Sequence, residues 1–414
     1  MGTNMKNAFA IAAILLPSAA FAGGYIVPNV NPRDMGMADS AVAAQYSAAA
    51  VFKNPSALAG QEGFNISASG TLLSLSSTWT DTAGYSPRAN DSASLALRPA
   101  YPPTLFASYG FKLGDMAAGV GAGLSVPGGG QVYWPGSWAG SQFVTSVDRR
   151  IYGMYLVAGV QVLPQLKLGG GLVYYRSTEH LTQDVNFLSN YGGADLGTAG
   201  GKASFDVSAE ITPVKDVPFK IGFDYKHQAV MNLTGHAHFD GVPAALRPQA
   251  LDQTVTHALT IPNQMNIGGS FRPIPALLVS AGWTWERFVV YRQDAFIGSL
   301  GTSVIVPRDY HNGQTYRVGA ELAVLPALRV RGGLLRDVSP TNTDRLNPSI
   351  PDASSTAVTV GASYDIIPGL ELSAAYFFDR EDTTSVTSND GSTLPGSYDT
   401  HSNIFALGLS WRLK

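Results

Sequence analysis

The chain has 414 residues, a formal net charge of −3 and only 14% charged residues. This charge balance gives no reason to expect a nucleic acid partner, and the absence of cysteine excludes disulfides and thiol chemistry. Low charge with 45 Gly, 18 Tyr and 18 Phe suits a β-barrel with a lipid-facing outer wall and aromatic rims. A soluble periplasmic β-protein is the alternative at this level.

Residues 1–22 have the pattern of a secretory signal peptide. Lys6 provides the positive charge, an apolar run follows from Ala8 to Leu16, and Ala20-Phe21-Ala22 is a small-x-small cleavage site. No later stretch reaches the roughly 18 uninterrupted apolar residues of a membrane-spanning helix. An exported chain without such a helix can still span a membrane as a closed barrel, because closure satisfies every backbone N–H and C=O group. A cysteine-free chain with this signal is typical of bacteria.

Residues 23–60 differ from the rest of the chain. They are rich in Ala and weakly charged, and predict one or two short helical turns before Asn54-Pro55. Disordered tails favour high charge and few apolar groups. We therefore expect this segment to fold back as a plug, or hatch, rather than hang free as a solvated tail.

Residues 61–414 alternate between apolar and small or polar residues, which is the pattern of β-strands. In the last segment Phe405, Leu407, Leu409, Trp411 and Leu413 alternate with Ala406, Gly408, Ser410 and Arg412. Many such runs last about ten residues or more, the length that a tilted strand needs to cross a bilayer.

Short and long connections between the predicted strands alternate along this region. Six short ones are predicted at 112–115, 163–165, 213–218, 273–275, 325–327 and 366–369. Seven longer polar stretches lie at 81–94, 127–142, 181–202, 232–262, 291–312, 339–354 and 381–401. Thirteen connections predict about fourteen antiparallel strands, with both termini on the periplasmic side. The expected fold is an all-β transmembrane barrel with an N-terminal plug.

Catalytic signals are weak. The pair His236-x-His238 could bind a metal ion, but no third ligand is evident nearby, so a solvated loop is the preferred interpretation. No Gly-x-Ser-x-Gly elbow occurs, and Gly121-x-Gly123 lacks the third glycine of a phosphate loop. We expect binding and passage rather than catalysis, with no cofactor and no metal.

Several segments, taken in order, resemble the FadL-type family of outer-membrane transporters for hydrophobic compounds. They are Asn54-Pro55-Ser56-Ala57 within the hatch, Trp138-Ala139-Gly140, the run from Ile261 to Pro273, the run from Asn312 to Glu321, Ile350-Pro351-Asp352-Ala353, and the run from Ile404 to Trp411. The resemblance covers essentially the whole mature chain. Two features depart from the family: the chain ends in Lys414 rather than an aromatic residue, and 181–202 is shorter than the corresponding external loop. Because of the second departure, we expect a capture groove that is not identical to that of the fatty acid transporters.

The resemblance implies passive, gated uptake of fatty acids or aromatic hydrocarbons in three stages. External loops capture the ligand, a lumenal pocket closed by the hatch receives it, and a gap beside a kinked third strand releases it sideways. The hatch and gate residues are Asn54, Pro55, Ser56, Gly119, Gly121 and Gly123. These glycines lie in a third strand expected near 115–126, where they either permit the kink or let the plug pack closely.

Ligand contacts are also expectations. For the capture site they are Trp134, Trp138, Phe143, Leu246, Leu251 and Leu259. Tyr25 takes the place of the family's aromatic residue in the lumenal site. The tryptophans could instead form an interfacial girdle. A carboxylate ligand could meet Lys226, Arg317 or Arg150, although pairing of wall cations with Asp224 and Glu321 is the default.

These patterns together predict an outer-membrane channel for hydrophobic small molecules, embedded in outer-membrane lipid as a monomer. The alternative is a general porin, or a structural or receptor barrel. A constriction ringed by opposed charges and open to water would favour that alternative.

Overall fold

The computed structural model describes residues 25–26, 31–82, 84, 91–187, 190–248, 250–387 and 391–413. The predicted signal peptide, residues 23–24 and 27–30 of the predicted hatch, and Lys414 lie outside the described residues. The strands are β1 Gly63–Thr80, β2 Ser92–Ser94, β3 Pro103–Leu113, β4 Met116–Tyr133, β5 Ser146–Leu163, β6 Leu166–Asn186, β7 Tyr191–Ile211, β8 Phe219–Lys226, β9 Ala229–Asp240, β10 Gln253–Ile261, β11 Gln264–Ile274, β12 Leu277–Glu286, β13 Gln293–Gly298, β14 Ser303–Pro307, β15 Gly313–Leu325, β16 Leu328–Val338, β17 Ser355–Ile367, β18 Leu370–Glu381, β19 Thr384–Val386 and β20 Gly396–Leu413. The helices are α1 Pro32–Met35 and α2 Ala50–Lys53, with 3₁₀ turns at Pro55–Gly60, Phe288–Val290 and Thr343–Arg345. Among these residues no helix combines the length and the apolar character needed to cross a membrane.

The sheet closes on itself. β1 pairs with β20 from Phe64↔Leu413 to Thr80↔Ser397 and with β3 on its other edge. Two wall strands are interrupted, so that β8 and β9 together make one and β10 and β11 together make the next. The ring therefore has fourteen antiparallel wall strands, in the order β1, β3, β4, β5, β6, β7, β8/β9, β10/β11, β12, β15, β16, β17, β18 and β20. This confirms the predicted all-β barrel and its strand number.

Residue alternation explains why the wall faces lipid. On β20 Leu407 is 63% exposed on the outer face, while its neighbour Ala406 is 3% exposed and points into the barrel. Large apolar side chains on the outside meet the bilayer, and small ones inside leave room for lumenal contents. The six short connections lie at one end, the turn end, within a few residues of their predicted positions.

At the opposite end, the loop end, two loop predictions are wrong. Stretch 181–202 is mostly strand, because β6 continues to Asn186 and β7 begins at Tyr191. Stretch 232–262 consists mainly of β9 and β10, and the stretches 127–142, 291–312 and 381–401 are partly strand. These parts of the wall project beyond the bilayer, and their outer faces are therefore polar. Because they lack apolar outward residues, their sequence has the composition of loops although they form strands.

We call the projecting part the loop-end extension. It comprises β6 from residue 176, β7 before residue 203, β9 from residue 232 and β10 before residue 259. The part of β5 that pairs with this end of β6 and the β13–β14 hairpin also belong to it. Its outward residues include Arg176, Thr178, His180, Asn232, Thr234 and His236, which are exposed. Below them the outward residues of β6 are Leu168, Leu172 and Tyr174, which mark the membrane-spanning band.

Residues 25–26 and 31–60 form what we call the lumenal segment, which packs inside the barrel. Glycines on ten strands face it: Gly119, Gly121, Gly159, Gly169, Gly222, Gly268, Gly282, Gly319, Gly333, Gly361 and Gly408. A Cβ at Gly119, Gly159, Gly169 or Gly319 would fall within 3.0 Å of the segment's backbone. These wall positions must therefore be glycine if the segment is to fit.

Candidate functional site

The wall is interrupted between β3 and β4. Their pairing ends at Leu105↔Leu124, and β4 shifts register against β5 between Ser125 and Gly128. The third wall strand, β4, runs to Tyr133, beyond the predicted 115–126. Its register shift lies after the predicted glycines Gly119, Gly121 and Gly123 and not at them. A register shift of this kind bends the strand and leaves backbone groups unpaired.

Residues of the lumenal segment cover this interruption from inside. Ile26 forms an antiparallel bridge with Gly128, and Gly129 N–H donates to the Tyr25 carbonyl at 2.8 Å. Near the loop end the gap is closed where Ala96 N–H donates to the Tyr133 carbonyl at 2.8 Å. On the outside Leu97 is 70% exposed. The arrangement is a side opening in the wall, closed by a short length of backbone.

Tyr25 crosses the lumen from this opening toward the opposite wall. Its hydroxyl donates to the Thr260 carbonyl on β10. On the edge that faces β12 and β13, β10 pairs with β13 only from Val255 to His257, so Thr260 is unpaired on that edge. Its ring meets Phe288 and Tyr291 edge-on, with centroids 5.5 and 5.4 Å apart. The Arg149 guanidinium lies 5.2 Å from the ring centroid. Tyr25 is buried, and the predicted aromatic residue of the lumenal site thus does occupy the lumen.

A cavity of about 50 Å³ lies beside the lumenal segment, and we call it the lumenal cavity. One part of its lining is apolar: Ile26, Val42, Phe52, Pro127, Tyr175, Ile261 and Pro262. The remaining part is polar or charged: Asp39, Lys53, Asp224, Lys226, Gln264, Asn266, Glu286 and Arg317. Such a lining can hold an apolar body and a polar end together.

The predicted cations differ in their surroundings. Lys226 is buried between Asp224 at 2.7 Å and Asp206 at 2.9 Å, so that it is already paired. Arg150 is paired with Asp148 at 2.6 Å, two positions along β5. Arg317 lines the lumenal cavity and donates to the Thr284 hydroxyl, and its Nε has no hydrogen-bond partner among the described residues. Of the three, Arg317 has the most free donor capacity for a ligand.

A second cavity, which we call the mouth cavity, has a volume of about 60 Å³ and lies at the loop end. It separates the β13–β14 hairpin from the wall formed by β5, β6 and β7. Its apolar lining is Phe143, Val144, Val147, Leu181, Leu196, Phe296, Val304, Val306 and Ile350. Of the predicted capture residues only Phe143 contributes to it.

Trp134 and Trp138 pack in a buried cluster with Trp79. The rings of Trp134 and Trp138 stack with centroids 4.2 Å apart, and Trp79 meets Trp138 edge-on at 5.9 Å. Each indole N–H donates to a backbone carbonyl at 2.9 to 3.0 Å. A girdle role does not fit them, because both predicted tryptophans are buried. Their part in capture stays a prediction.

The three predicted leucines do not come together. Leu246 is half-buried and Leu251 exposed, both in the connection from β9 to β10. Leu259 is buried on β10 in the apolar cluster that contains Tyr25.

The predicted hatch and gate residues are packing positions. Asn54 donates to the Val42 carbonyl at 3.0 Å, the Ser56 hydroxyl donates to Asn54 at 2.6 Å, and Ser56 N–H donates to Ser208 on β7 at 2.9 Å. Pro55 lies against Gly159, and Gly119 and Gly121 face Leu58 and Val51 of the lumenal segment. Gly123 faces Phe106. This geometry favours the close-packing alternative for the glycines, and a gating role stays a prediction.

Sequence reasoning missed a cluster of buried charged residues behind the mouth cavity: Arg149, Glu179, His257, Asp294 and Arg308. Inward placement follows from residue alternation once β6, β10 and β13 are known to continue into the loop-end extension. Because 232–262 and 291–312 were assigned to loops, the signal at His257 and Asp294 was not used. Across the described residues no group of three or more His, Asp or Glu side chains is arranged to hold a metal ion.

A closed fourteen-stranded barrel with a side opening and an occupied lumen defines an outer-membrane transport channel rather than an enzyme. The chain matches the model of a family described as outer membrane protein transport protein (OMPP1/FadL/TodX) over residues 13–413. It belongs to this family. No curated protein sequence matches it.

Three solved structures are similar in fold. A Pseudomonas aeruginosa FadL homologue has 20% identity and a TM-score of 0.84, covering 95% of this chain and 100% of that one. The Ralstonia pickettii toluene transporter TbuX has 16% identity and a TM-score of 0.69, with coverages of 94% and 99%. The P. putida toluene transporter TodX has 16% identity and a TM-score of 0.70, with coverages of 89% and 94%.

Proposed function

We propose that this protein is a passive, gated channel through which hydrophobic small molecules, fatty acids or aromatic hydrocarbons, cross the outer membrane. The observation that carries the proposal is the side opening beside β4, which is closed from inside by Tyr25 and Ile26. An opening onto the bilayer suits a molecule that is more stable in lipid than in water. The two toluene transporters of similar fold support the same class of cargo.

The path begins outside the cell, at the mouth cavity. Apolar ligands gain about 25 cal/mol per Å² of apolar surface removed from water, and Phe143, Leu181 and Val304 offer such a surface. From there the ligand passes the aromatic residues around Tyr25 and reaches the lumenal cavity, which Ile26 and Pro127 line next to the opening.

The lumenal segment acts as the hatch in this mechanism, and its two parts act differently. Residues 31–60 are fixed by close packing against glycines on ten wall strands and by bonds such as Lys53–Asp39 at 2.6 Å and Lys226 to the Phe52 carbonyl at 2.7 Å. Tyr25 and Ile26 are held by the bridge to Gly128, by the hydrogen bond from Gly129 and by the contacts of the Tyr25 ring. We propose that displacement of Tyr25 and Ile26 opens the side exit, while residues 31–60 stay in place.

A general porin needs an open, watery lumen, and the packed lumenal segment argues against it. Uptake into vesicles whose outer leaflet is lipopolysaccharide distinguishes the two functions. We expect the protein to accelerate entry of dodecanoate or toluene and not of arabinose. Rapid arabinose entry without any gain for the hydrophobic probes would refute the proposal.

A further inference from the structure

The outer wall carries three arginines where the membrane-spanning band ends on the loop-end side. On β6, Arg176 is the first outward residue beyond Tyr174, and it pairs with Tyr152 on β5. Arg150 lies two positions from Tyr152 on the same face of β5. It is therefore a diagonal neighbour of Arg176, about 7–8 Å away between Cα atoms. We call Arg98, Arg150 and Arg176 the basic patch.

Arg98 belongs to the patch through contacts with β4 and β5. Its guanidinium lies 4.1 Å from the centroid of the Tyr133 ring. The Tyr133 hydroxyl donates to Asp148 at 3.3 Å, and Arg150 donates to the two oxygens of Asp148 at 2.8 and 2.6 Å. A continuous line of contacts thus runs from Arg98 to Arg150 across the outer face.

The charges of the patch do not cancel. Asp148 is the counter-charge of Arg150, whereas Arg98 and Arg176 form no ion pair with a carboxylate of the described residues. Three guanidinium groups beside one carboxylate leave an excess of two positive charges at the edge of the bilayer. Such a cluster is complementary to an anionic lipid headgroup.

Outward arginines on the far side of the barrel are neutralised. Arg336 on β16, seven wall strands away from β5, is paired with Asp382 at 2.5 Å. Arg380 on β18 is paired with Asp399 at 2.9 Å. Arg336 also follows directly on the apolar outward residue Leu334, at the end of the membrane-spanning band. The excess of positive charge is therefore a local property of the wall around β5 and β6.

We infer that the basic patch binds the phosphate groups of lipid A, the membrane-embedded part of lipopolysaccharide. The short turns of outer-membrane barrels face the periplasm, so the loop end faces the outer leaflet, where this phosphorylated glycolipid resides. Guanidinium groups donate forked hydrogen bonds that match phosphate oxygens. The acyl chains lie along the exposed apolar residues Leu156 and Leu172 below the patch.

The position of the patch gives this binding a consequence. Arg98 follows Leu97, which is exposed at the side opening, so a lipid A molecule held by the patch lies next to that opening. The inference depends on the outer-membrane location of the barrel and not on the cargo that passes through it.

The test compares diphosphoryl lipid A with its dephosphorylated form, which has the same sugars and acyl chains. Native mass spectrometry of the purified protein, titrated with each lipid in non-ionic detergent, measures the two affinities. One arginine near an anionic lipid surface contributes about a fivefold factor in affinity, so two excess charges predict a preference of about thirtyfold for the diphosphoryl form. The preference should decrease at higher ionic strength, because salt screens exposed charges.

Variants of exposed residues change the charge without disturbing the core. R98Q/R176Q removes the two arginines that have no carboxylate partner and should abolish the preference. D148N raises the excess to three charges and should tighten binding of diphosphoryl lipid A about fivefold, a gain that a damaged fold would not produce. R336Q/R380Q is the matched control, since it also removes two outward arginines, and it should keep the wild-type preference.

Four results would overturn the inference. The first is equal binding of the two lipid A forms by the wild type, and the second is an unchanged preference in R98Q/R176Q. The third is an equal loss in R336Q/R380Q, because the effect would then not be local to the patch. The fourth is a preference for phosphatidylglycerol over phosphatidylethanolamine as large as that for diphosphoryl lipid A, which would assign the patch to anionic lipids in general. Each of these results leaves the proposed transport function standing.

Discussion

Two neighbouring glycines on β16 provide a sharp test of the packing between wall and lumenal segment. A Cβ at Gly333 would lie 2.6 Å from the Met37 carbonyl carbon and 2.7 Å from the Ala38 nitrogen. At Gly332, which faces outward, the nearest atom is the Thr359 oxygen at 3.9 Å. Substitution of either glycine by alanine adds the same methyl group to the same strand, inside the barrel or outside it.

The expected cost follows from these distances. Ordinary carbon contacts begin near 3.4 Å, so the new methyl group of G333A overlaps backbone atoms that no rotamer change can move. Overpacking of this kind costs about 1–3 kcal/mol. G332A adds a methyl group in open space and restricts the unfolded chain, so we expect a change between zero and about 1 kcal/mol of stabilisation.

Thermal unfolding in detergent, followed by circular dichroism and by the shift in gel mobility that barrel unfolding causes, measures the difference. G333A should unfold at a clearly lower temperature than the wild type, and G332A at the same temperature or a higher one. Equal midpoints for the two variants would refute the packing of residues 31–60 against β16.

Three further predictions concern buried groups. K226M should destabilise the barrel by about 3–5 kcal/mol, measured by the same unfolding assay, because Asp206 and Asp224 would lose the cation they share. Y25A should raise arabinose entry into vesicles, because its ring obstructs the lumen, while Y25F should resemble the wild type. His257 should contribute about 3 kcal/mol of stability below about pH 6.5, and this contribution should be lost as the pH rises through 9, since folding raises the pKa of His257. The difference in stability between wild type and H257Q measures the contribution, and a difference that does not change with pH would contradict it.

Strand number could be predicted because it depends on local signals. Each short turn interrupts a period-two pattern, and no long-range information is needed to count the interruptions. The length of the strands beyond the membrane could not be predicted. There the outward residues are polar, as many inward ones are, so the sequence no longer alternates between apolar and polar residues. Thr178, Glu179 and His180 illustrate the difficulty: only the middle residue points inward, yet all three are polar.

The candidate site was only partly predictable. Tyr25 was found through the family resemblance and lies in the lumen, but the ring of inward glycines was not recognised. Sequence cannot distinguish Gly333, which faces the lumenal segment, from Gly332, which faces lipid, without the register of β16. The charged network around His257 was missed because four of its members come from separate strands and Arg308 follows β14, so that the five residues meet only when the barrel closes.

The most direct test of the account locks each part of the lumenal segment to the wall, in a chain that has no native cysteine. The double variant I26C/G128C joins bridge partners at the side opening, and its reduced form controls for the Cβ that it places 2.7 Å from the Tyr25 carbonyl. The double variant S40C/S280C joins two hydroxyl positions 2.5 Å apart deeper in the lumen. In lipopolysaccharide vesicles we expect oxidation of the first pair to stop dodecanoate uptake and reduction to restore it, with no effect of oxidation on the second. Undiminished uptake with the first pair locked would contradict an exit beside β4.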